Sequence, residues 1–251
     1  MNKINLKNYK KFEKQIILKE VGLNGQQKIF SSKIAIVGLG GLGCPLALYL
    51  ASSGILNLAL IDHDKVEYSN LNRQVLFNEN EIGQSKTKLV KKKLLKINQN
   101  IKIKDINFKL DNNNIDKILD KYDIICDCSD NFTTRFTINK YCQKNNKVLI
   151  SAAINKFDAQ IFFFNFKKNN TCFRCFMPEK PFDDIKCDAE GIMPTNAGIA
   201  GLLQANEVLN FILNKNKKKH ATIKIFNSLN YTFREVKITK NSNCKKKCII
   251  N

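Results

Sequence analysis

The chain has 251 residues, 43% hydrophobic and 25% charged, which supplies a core and argues against disorder. No stretch approaches the roughly 20 apolar residues of a membrane span, and the opening MNKINLKNYKKFEK lacks the apolar centre of a secretion signal, so a cytoplasmic protein is expected. The formal charge is +20, yet 38 of the 42 basic residues are Lys, beside 33 Asn and 30 Ile; that excess is codon bias of an AT-rich genome, and nucleic-acid readers favour Arg, so nucleic acid is not an expected partner.

Residues 9–20 and 24–31 read as two short helices, forming an N-terminal arm over 1–31. KIAIV (33–37) is a buried strand, CPLALYLASSG (44–54) a helix stopping at Gly54, and NLALID (57–62) a second strand. Together they make one parallel crossover unit. A basic amphipathic helix follows at 85–97, then strands at 101–108 and 122–130, a helix at 133–144 and a strand at 147–153. AQIFFFNF (159–166) is a further strand and 177–194 a long loop. Residues 195–214 form a helix with Ile199, Leu202, Leu203, Leu209 and Ile212 on or near one face, and 222–238 a hairpin. Alternating strands and helices predict an α/β fold, a doubly wound Rossmann-like, mostly parallel sheet with an antiparallel C-terminal extension. The whole of 1–251 is expected to be one domain, with a nucleotide-binding half at 32–153 and a second half at 154–251.

Gly38, Gly40 and Gly43 stand as G-x-G-x-x-G between strand and helix, the context that brings a backbone close to phosphate at a helix N-terminus. Asp62 follows 19 residues after Gly43, at a strand end, where a carboxylate can take ribose hydroxyls. These features suit a nicotinamide dinucleotide or ATP equally. The run Asp62-His63-Asp64-Lys65-Val66-Glu67-Tyr68-Ser69-Asn70-Leu71-Asn72-Arg73-Gln74, with Lys86 beyond it, favours ATP. Asn70, Arg73, Gln74 and Lys86 can reach a triphosphate and neutralise departing pyrophosphate. Asp130, closing another strand as Asp127-Cys128-Ser129-Asp130-Asn131, is placed to hold magnesium beside it.

GLGGLG, SNLNRQ, GQSKT and CDCSDN together resemble the MoeB/ThiF (HesA) family, bacterial relatives of the ubiquitin-activating enzymes. The resemblance runs nearly end to end. It implies an adenylyltransferase that uses MgATP to adenylate the C-terminal glycine of a small ubiquitin-fold sulfur carrier, MoaD-like or ThiS-like, for molybdopterin or thiamin synthesis. It also implies that Gly41 approaches the phosphates and Asp62 the ribose. Ser69, Asn70, Leu71, Asn72 and Arg73, with Lys86, hold the nucleotide, and Asp130 holds magnesium with Asn131 beside it. A homodimer follows from the same resemblance, because the family's N-terminal Arg reaches into the partner's site. This chain has Lys14 there, which keeps the charge and loses the bidentate fork.

Nine Cys, an odd number, favour metal or thiol chemistry over disulfides. Cys172-x-x-Cys175 and Cys244-x-x-x-Cys248 are two pairs separated by 68 residues, able to complete a four-thiolate zinc site that many family members carry. The family spaces its second pair by two residues, and here the spacing is three. Cys187 occupies a loop where some relatives use a thiol in sulfur transfer, and Lys186 is its one favourable neighbour. Cys44, Cys126, Cys128 and Cys142 read as small buried hydrophobes. The chain ends at Asn251 with no sulfurtransferase module, so a separate sulfur donor is expected. The competing readings are a nicotinamide oxidoreductase, which leaves Arg73, Lys86 and Asp130 unexplained, activation of a tRNA-base carboxylate, and a non-catalytic family member.

Overall fold

The computed structural model describes residues 6–181, 191–214, 220–242 and 244. Eight strands form one sheet: β1 (Lys33–Val37), β2 (Asn57–Ile61), β3 (Lys102–Ile106), β4 (Ile124–Asp127), β5 (Val148–Asn155), β6 (Asp158–Asn165), β7 (Thr222–Asn227) and β8 (Thr232–Lys237). Their order is β3-β2-β1-β4-β5-β6-β7-β8. The first five pair in parallel and the last three antiparallel, as the alternation of strand and helix patterns predicts.

The strands alternate their side chains between two cores. Ile34, Ile36, Ile161 and Phe163 face one, while Ala35, Val37, Phe162 and Phe164 face the other. The first core is covered by α3 (Gly43–Ser53), α4 (Lys86–Ile97) and α8 (Pro194–Ile212). The second is covered by α5 (Ile115–Leu119), α6 (Phe132–Lys144) and the short α7 (Phe173–Phe176). Both faces of β1 and β4 are therefore buried, which explains their unbroken apolar runs. The arm, α1 (Leu6–Ile16) and α2 (Gly22–Ser31), packs Phe12 and Ile16 onto Phe30 and Leu56.

Local chemistry accounts for the element ends. Helix α3 stops at Gly54, whose φ of 101° needs a residue without a Cβ. In α4, Leu89, Val90 and Leu94 are buried while Lys88, Lys92 and Lys96 are exposed. Lys91 pairs with Asp105 and Lys93 with Glu81, so part of the basic face is tied down on the sheet edge and the preceding loop.

Helix α8 corrects the sequence reading at Leu202 and bears it out at Leu203, Leu209 and Ile212, which pack into the first core. Leu202 is exposed, and the buried face carries Ala197, Ala200, Gly201, Gln204, Ala205, Glu207 and Val208. The contact is too close for large side chains: a Cβ on Gly201 would sit 2.4 Å from the Leu42 carbonyl oxygen. Gln204 is buried because it is fully used, its Nε2 donating to the Asp127 and Ile150 carbonyls and its Oε1 accepting from Cys128.

Candidate active site at the carboxyl ends of the strands

The chain builds outward from β1 to β2 and β3, then crosses back to β4 on the other side of β1. A cleft opens outside the carboxyl ends of the strands at this reversal, where α/β sheets bind ligands. Its walls are the glycine loop (Gly38, Gly40, Gly41), the turn after β2 (Asp62, His63, Asp64), Arg73 and Gln74, Lys86, Phe108 to Leu110 after β3, and Cys128 to Asn131 after β4. Ile192, just before α8, and Ala197, in its first turn, close it.

The glycines act by absence. Gly38 has a φ of 90°, and a Cβ there would meet the Cys128 carbonyl oxygen at 2.7 Å. Gly43 begins α3, and its Cβ would stand 2.0 Å from the Gly38 carbonyl oxygen. Thus Gly43 backs the loop instead of lining the cleft. Asp62 stitches that loop to β2: Leu39 N donates to Oδ2 at 2.7 Å and Asp64 N to Oδ1 at 2.8 Å. Burial raises the Asp62 carboxyl above the usual carboxylate range, against the pull of those N–H groups and of Lys86.

The cleft gathers charges of both signs. Lys86, the first residue of α4, is only 5% exposed, and its Nζ lies 3.2 Å from Asp64 Oδ2. Arg73 is braced by neighbours, its Nη1 donating to the Ser69 carbonyl at 2.8 Å and to Asn72 Oδ1 at 3.2 Å. The buried Asn70 offers its carbonyl to the backbone N–H groups of Arg73 (3.1 Å) and Gln74 (2.9 Å), and Leu71 packs against the core. Ser69, Asn70, Leu71 and Asn72 therefore present Arg73 without lining the cleft themselves. Asp130 projects its exposed carboxylate at the opposite wall, accepting from Asn131 Nδ2 at 3.3 Å. Asn131 Oδ1 in turn accepts from Thr134 N at 2.8 Å and caps α6.

A second cavity of about 380 Å³ adjoins the first, and the two share Ser129, Asp130 and Asn131. It is mostly apolar, with Ile154, Phe162, Phe173, Phe176 and Met177 in its walls. Asp130 thus stands where a charged cleft meets an apolar one.

No described thiol at the cleft is poised as a nucleophile. Burial holds Cys128, in the cleft wall, well above the usual thiol range; Cys44, pushed up to about 12, and Cys126 lie in the core behind it. Elsewhere, Cys172, Cys175 and Cys244 bring their sulfurs within 4.8 Å of one another, and Cys172 Sγ lies 3.4 Å from Cys244 Sγ. In a tetrahedral thiolate site with metal–sulfur bonds of about 2.3 Å, sulfurs stand about 3.8 Å apart, so the cluster fits a metal of that kind. Cys248 and Cys187 lie outside the described residues. Lys14 is exposed on the last turn of α1 and does not line this chain's own cleft.

Sequence reasoning named Gly38, Gly40, Gly41, Asp62, Arg73, Gln74, Lys86, Asp130 and Asn131, which the fold brings to one cleft, and Gly43, Ser69, Asn70, Leu71 and Asn72, which it places behind the cleft wall. It missed Phe108, Leu110, Ile192 and Ala197, which arrive from other strand ends and from α8 and carry no local motif.

Residues 12–246 match the model of the ThiF family. The chain belongs to the ThiF family. It is similar to "Adenylyltransferase and sulfurtransferase MOCS3" of Xenopus laevis, 37% identical over 93% of this chain and 52% of that one. The protein of the same name from Aedes aegypti is 35% identical over 97% of this chain and 56% of that one. This ThiF-family chain therefore spans about half the length of the curated relatives it matches. Among solved structures, E. coli MccB with ATP is 26% identical, with a TM-score of 0.73 over 86% of this chain and 67% of that one. E. coli MccB itself matches with a TM-score of 0.80 at 25% identity, over 96% and 73% of the two chains. PaaA shares the fold at 20% identity, with a TM-score of 0.80 over 95% of this chain and 86% of that one. Among the described residues, no helix is long and apolar enough to cross a membrane.

Proposed function

We propose that this ThiF-family chain adenylates the C-terminal glycine carboxylate of a small ubiquitin-fold sulfur carrier, using ATP and magnesium. The observation that carries the reading is the meeting of Arg73, Lys86 and Asp130 in one cleft beside the glycine loop. A triphosphate laid on that loop faces two cations from one wall and a metal-holding carboxylate from the other. The carrier's carboxylate oxygen attacks the α-phosphorus. The bond from that phosphorus to the bridging oxygen breaks, and pyrophosphate leaves with the electron pair. The product is a mixed acyl–phosphate anhydride. Magnesium, when bound, offsets charge on the triphosphate; Asp130 is the residue to hold it. Asp62 takes the ribose, Lys86 and Arg73 follow the charge onto the leaving group, and no protein nucleophile is required.

The apolar cavity beside Asp130 supports a protein substrate: an extended, small-residue tail can lie there and bring its carboxylate to the charged cleft. The name shared by the curated relatives, adenylyltransferase and sulfurtransferase MOCS3, favours the molybdopterin carrier over the thiamin one. The buried, raised thiols of Cys128 in the cleft wall and of Cys44 and Cys126 in the core favour a sulfur donor other than these three. Cys172, Cys175 and Cys244, with Cys248, are the ligands of a structural zinc in this reading. Exposed Ile17, Leu18 and Leu23 on the arm favour a homodimer in which Lys14 serves the partner's cleft. A reduced cysteine cluster held for a metal suits the cytoplasm.

Isotope exchange between pyrophosphate and ATP tests the reading. Exchange that requires one carrier with an intact terminal Gly-Gly supports it. Absence of exchange with both carriers, at full zinc occupancy, would sink it. Nicotinamide binding, or exchange driven by a modified tRNA, would install one of the competing readings.

A further inference from the structure

The turn that carries Asp130 is held from behind by a buried ion pair. Asp127, at the end of β4, is fully buried. Its Oδ1 accepts from Ser129 N at 3.0 Å and Ser129 Oγ at 2.5 Å, and its Oδ2 accepts from Ser151 Oγ at 2.6 Å. Arg135, on α6 and 7% exposed, faces it with Nε 3.2 Å from Oδ2, an ion contact outside hydrogen-bond geometry. Arg135 Nη2 donates to the Ser129 carbonyl and to the Ala152 carbonyl, each at 2.9 Å. The Arg135 guanidinium carbon lies 5.6 Å from the ring centre of Phe173, the residue after Cys172.

Burying such a pair is a poor way to stabilise a fold, since apolar residues of similar volume do as well or better. What apolar residues cannot do is fix the Ser129 carbonyl, one peptide away from Asp130. We infer that Arg135 is a positioning residue for the metal–nucleotide complex. It locks the 127–131 turn so that Asp130 presents its carboxylate to a magnesium ion on the triphosphate, and it anchors that turn to β5 and to the cysteine turn through Ala152 and Phe173. The inference rests on the adenylation reading. Arg135 also borders the apolar cavity, but its Nη2 hydrogens are committed to backbone carbonyls, and the assay below contains no carrier for it to touch.

The test is ATP binding by calorimetry on the full chain with its cysteine metal in place, with magnesium titrated and with EDTA as the metal-free reference. Wild type, Arg135→Gln and Arg135→Lys are compared. In Arg135→Gln the gain in ATP affinity that magnesium confers falls about tenfold or more, as for other residues that orient metal ligands. Binding in EDTA stays within about twofold, because the cationic Arg73 and Lys86 and the glycine loop are untouched. Arg135→Lys recovers part of the gain, since an ammonium keeps the charge beside Asp127 and cannot span both carbonyls. An unchanged magnesium gain in Arg135→Gln overturns the inference, as does an equal loss with and without magnesium in both variants. If Arg135→Gln does not fold, Arg135→Lys decides alone: a wild-type magnesium gain refutes the proposal. Should wild type itself fail to bind ATP with magnesium, the adenylation reading falls first.

Discussion

Replacing Asp130 separates chemistry from architecture. The Asp130 side chain is exposed, and the hydrogen bond seen on its carboxylate is a long one, 3.3 Å from Asn131 Nδ2. Losing such a surface contact costs less than about 0.5 kcal/mol. In a domain of this size that moves Tm by no more than about 2 °C. The turn keeps its shape because Asp127 and Asn131 hold it through bonds that Asp130 does not share. Activity is another matter. Removing one preorganised electrostatic group from a reacting centre typically costs about 3–4 kcal/mol, or a factor of about 10²–10³ in rate. Asp130→Asn should therefore melt like wild type and lose pyrophosphate–ATP exchange by that factor at saturating magnesium and carrier. Exchange within about threefold of wild type would refute the metal-holding role. A fall in Tm beyond about 5 °C would show that Asp130 is structural, against the geometry seen here.

Two glycines on one helix should respond oppositely to alanine. A Cβ on Gly201 meets the Leu42 carbonyl oxygen at 2.4 Å and Pro45 Cγ at 2.6 Å, whereas Gly198 has nothing within 4 Å. Gly201→Ala is expected to lose roughly 1–3 kcal/mol and to raise the KM for ATP by pushing α8 off the glycine loop. Gly198→Ala is expected to gain roughly 0.5–1 kcal/mol in thermal unfolding, from helix propensity alone. Lys86→Met keeps the apolar stem in its buried slot and removes the amine beside Asp64, so pyrophosphate exchange should fall about 10²-fold while the fold survives. Cys172→Ser should abolish zinc recovered with the purified protein by elemental analysis and lower Tm, because the cluster closes Cys244 onto the cysteine turn. Wild-type protein that carries no zinc and melts identically with a chelator would contradict that assignment.

The parallel sheet and the glycine loop were readable because each depends on short-range pattern. KIAIV and NLALID are continuous apolar runs since both faces of their strands are covered, and Gly38, Gly40 and Gly43 sit between strand and helix. Asp62 and Asp130, at or after strand ends, and Lys86, which opens α4, were readable as a set because strand ends and helix starts meet on one edge of a parallel sheet. Arg135 was not, because its importance lies in partners on β4 and β5 that only the fold brings within reach. Leu202 on α8 misled for a related reason. Leu and Ile mark a core face where helices pack at ordinary distance, and here the helix approaches so closely that Gly201 and the alanines occupy the contact. The arm's Lys14 lies on an exposed helix turn, so its proposed role depends on a partner chain and no single-chain geometry could disclose it.

The central claim is that one cleft transfers AMP from ATP to a carrier's terminal carboxylate. Intact mass spectrometry of the purified carrier, incubated with the chain, magnesium and ATP and without any sulfur donor, observes that transfer directly. A carrier that gains the mass of AMP, and loses it again when pyrophosphate is added, is the result this account predicts. A carrier that stays unmodified while the chain demonstrably binds ATP and the carrier together would contradict it.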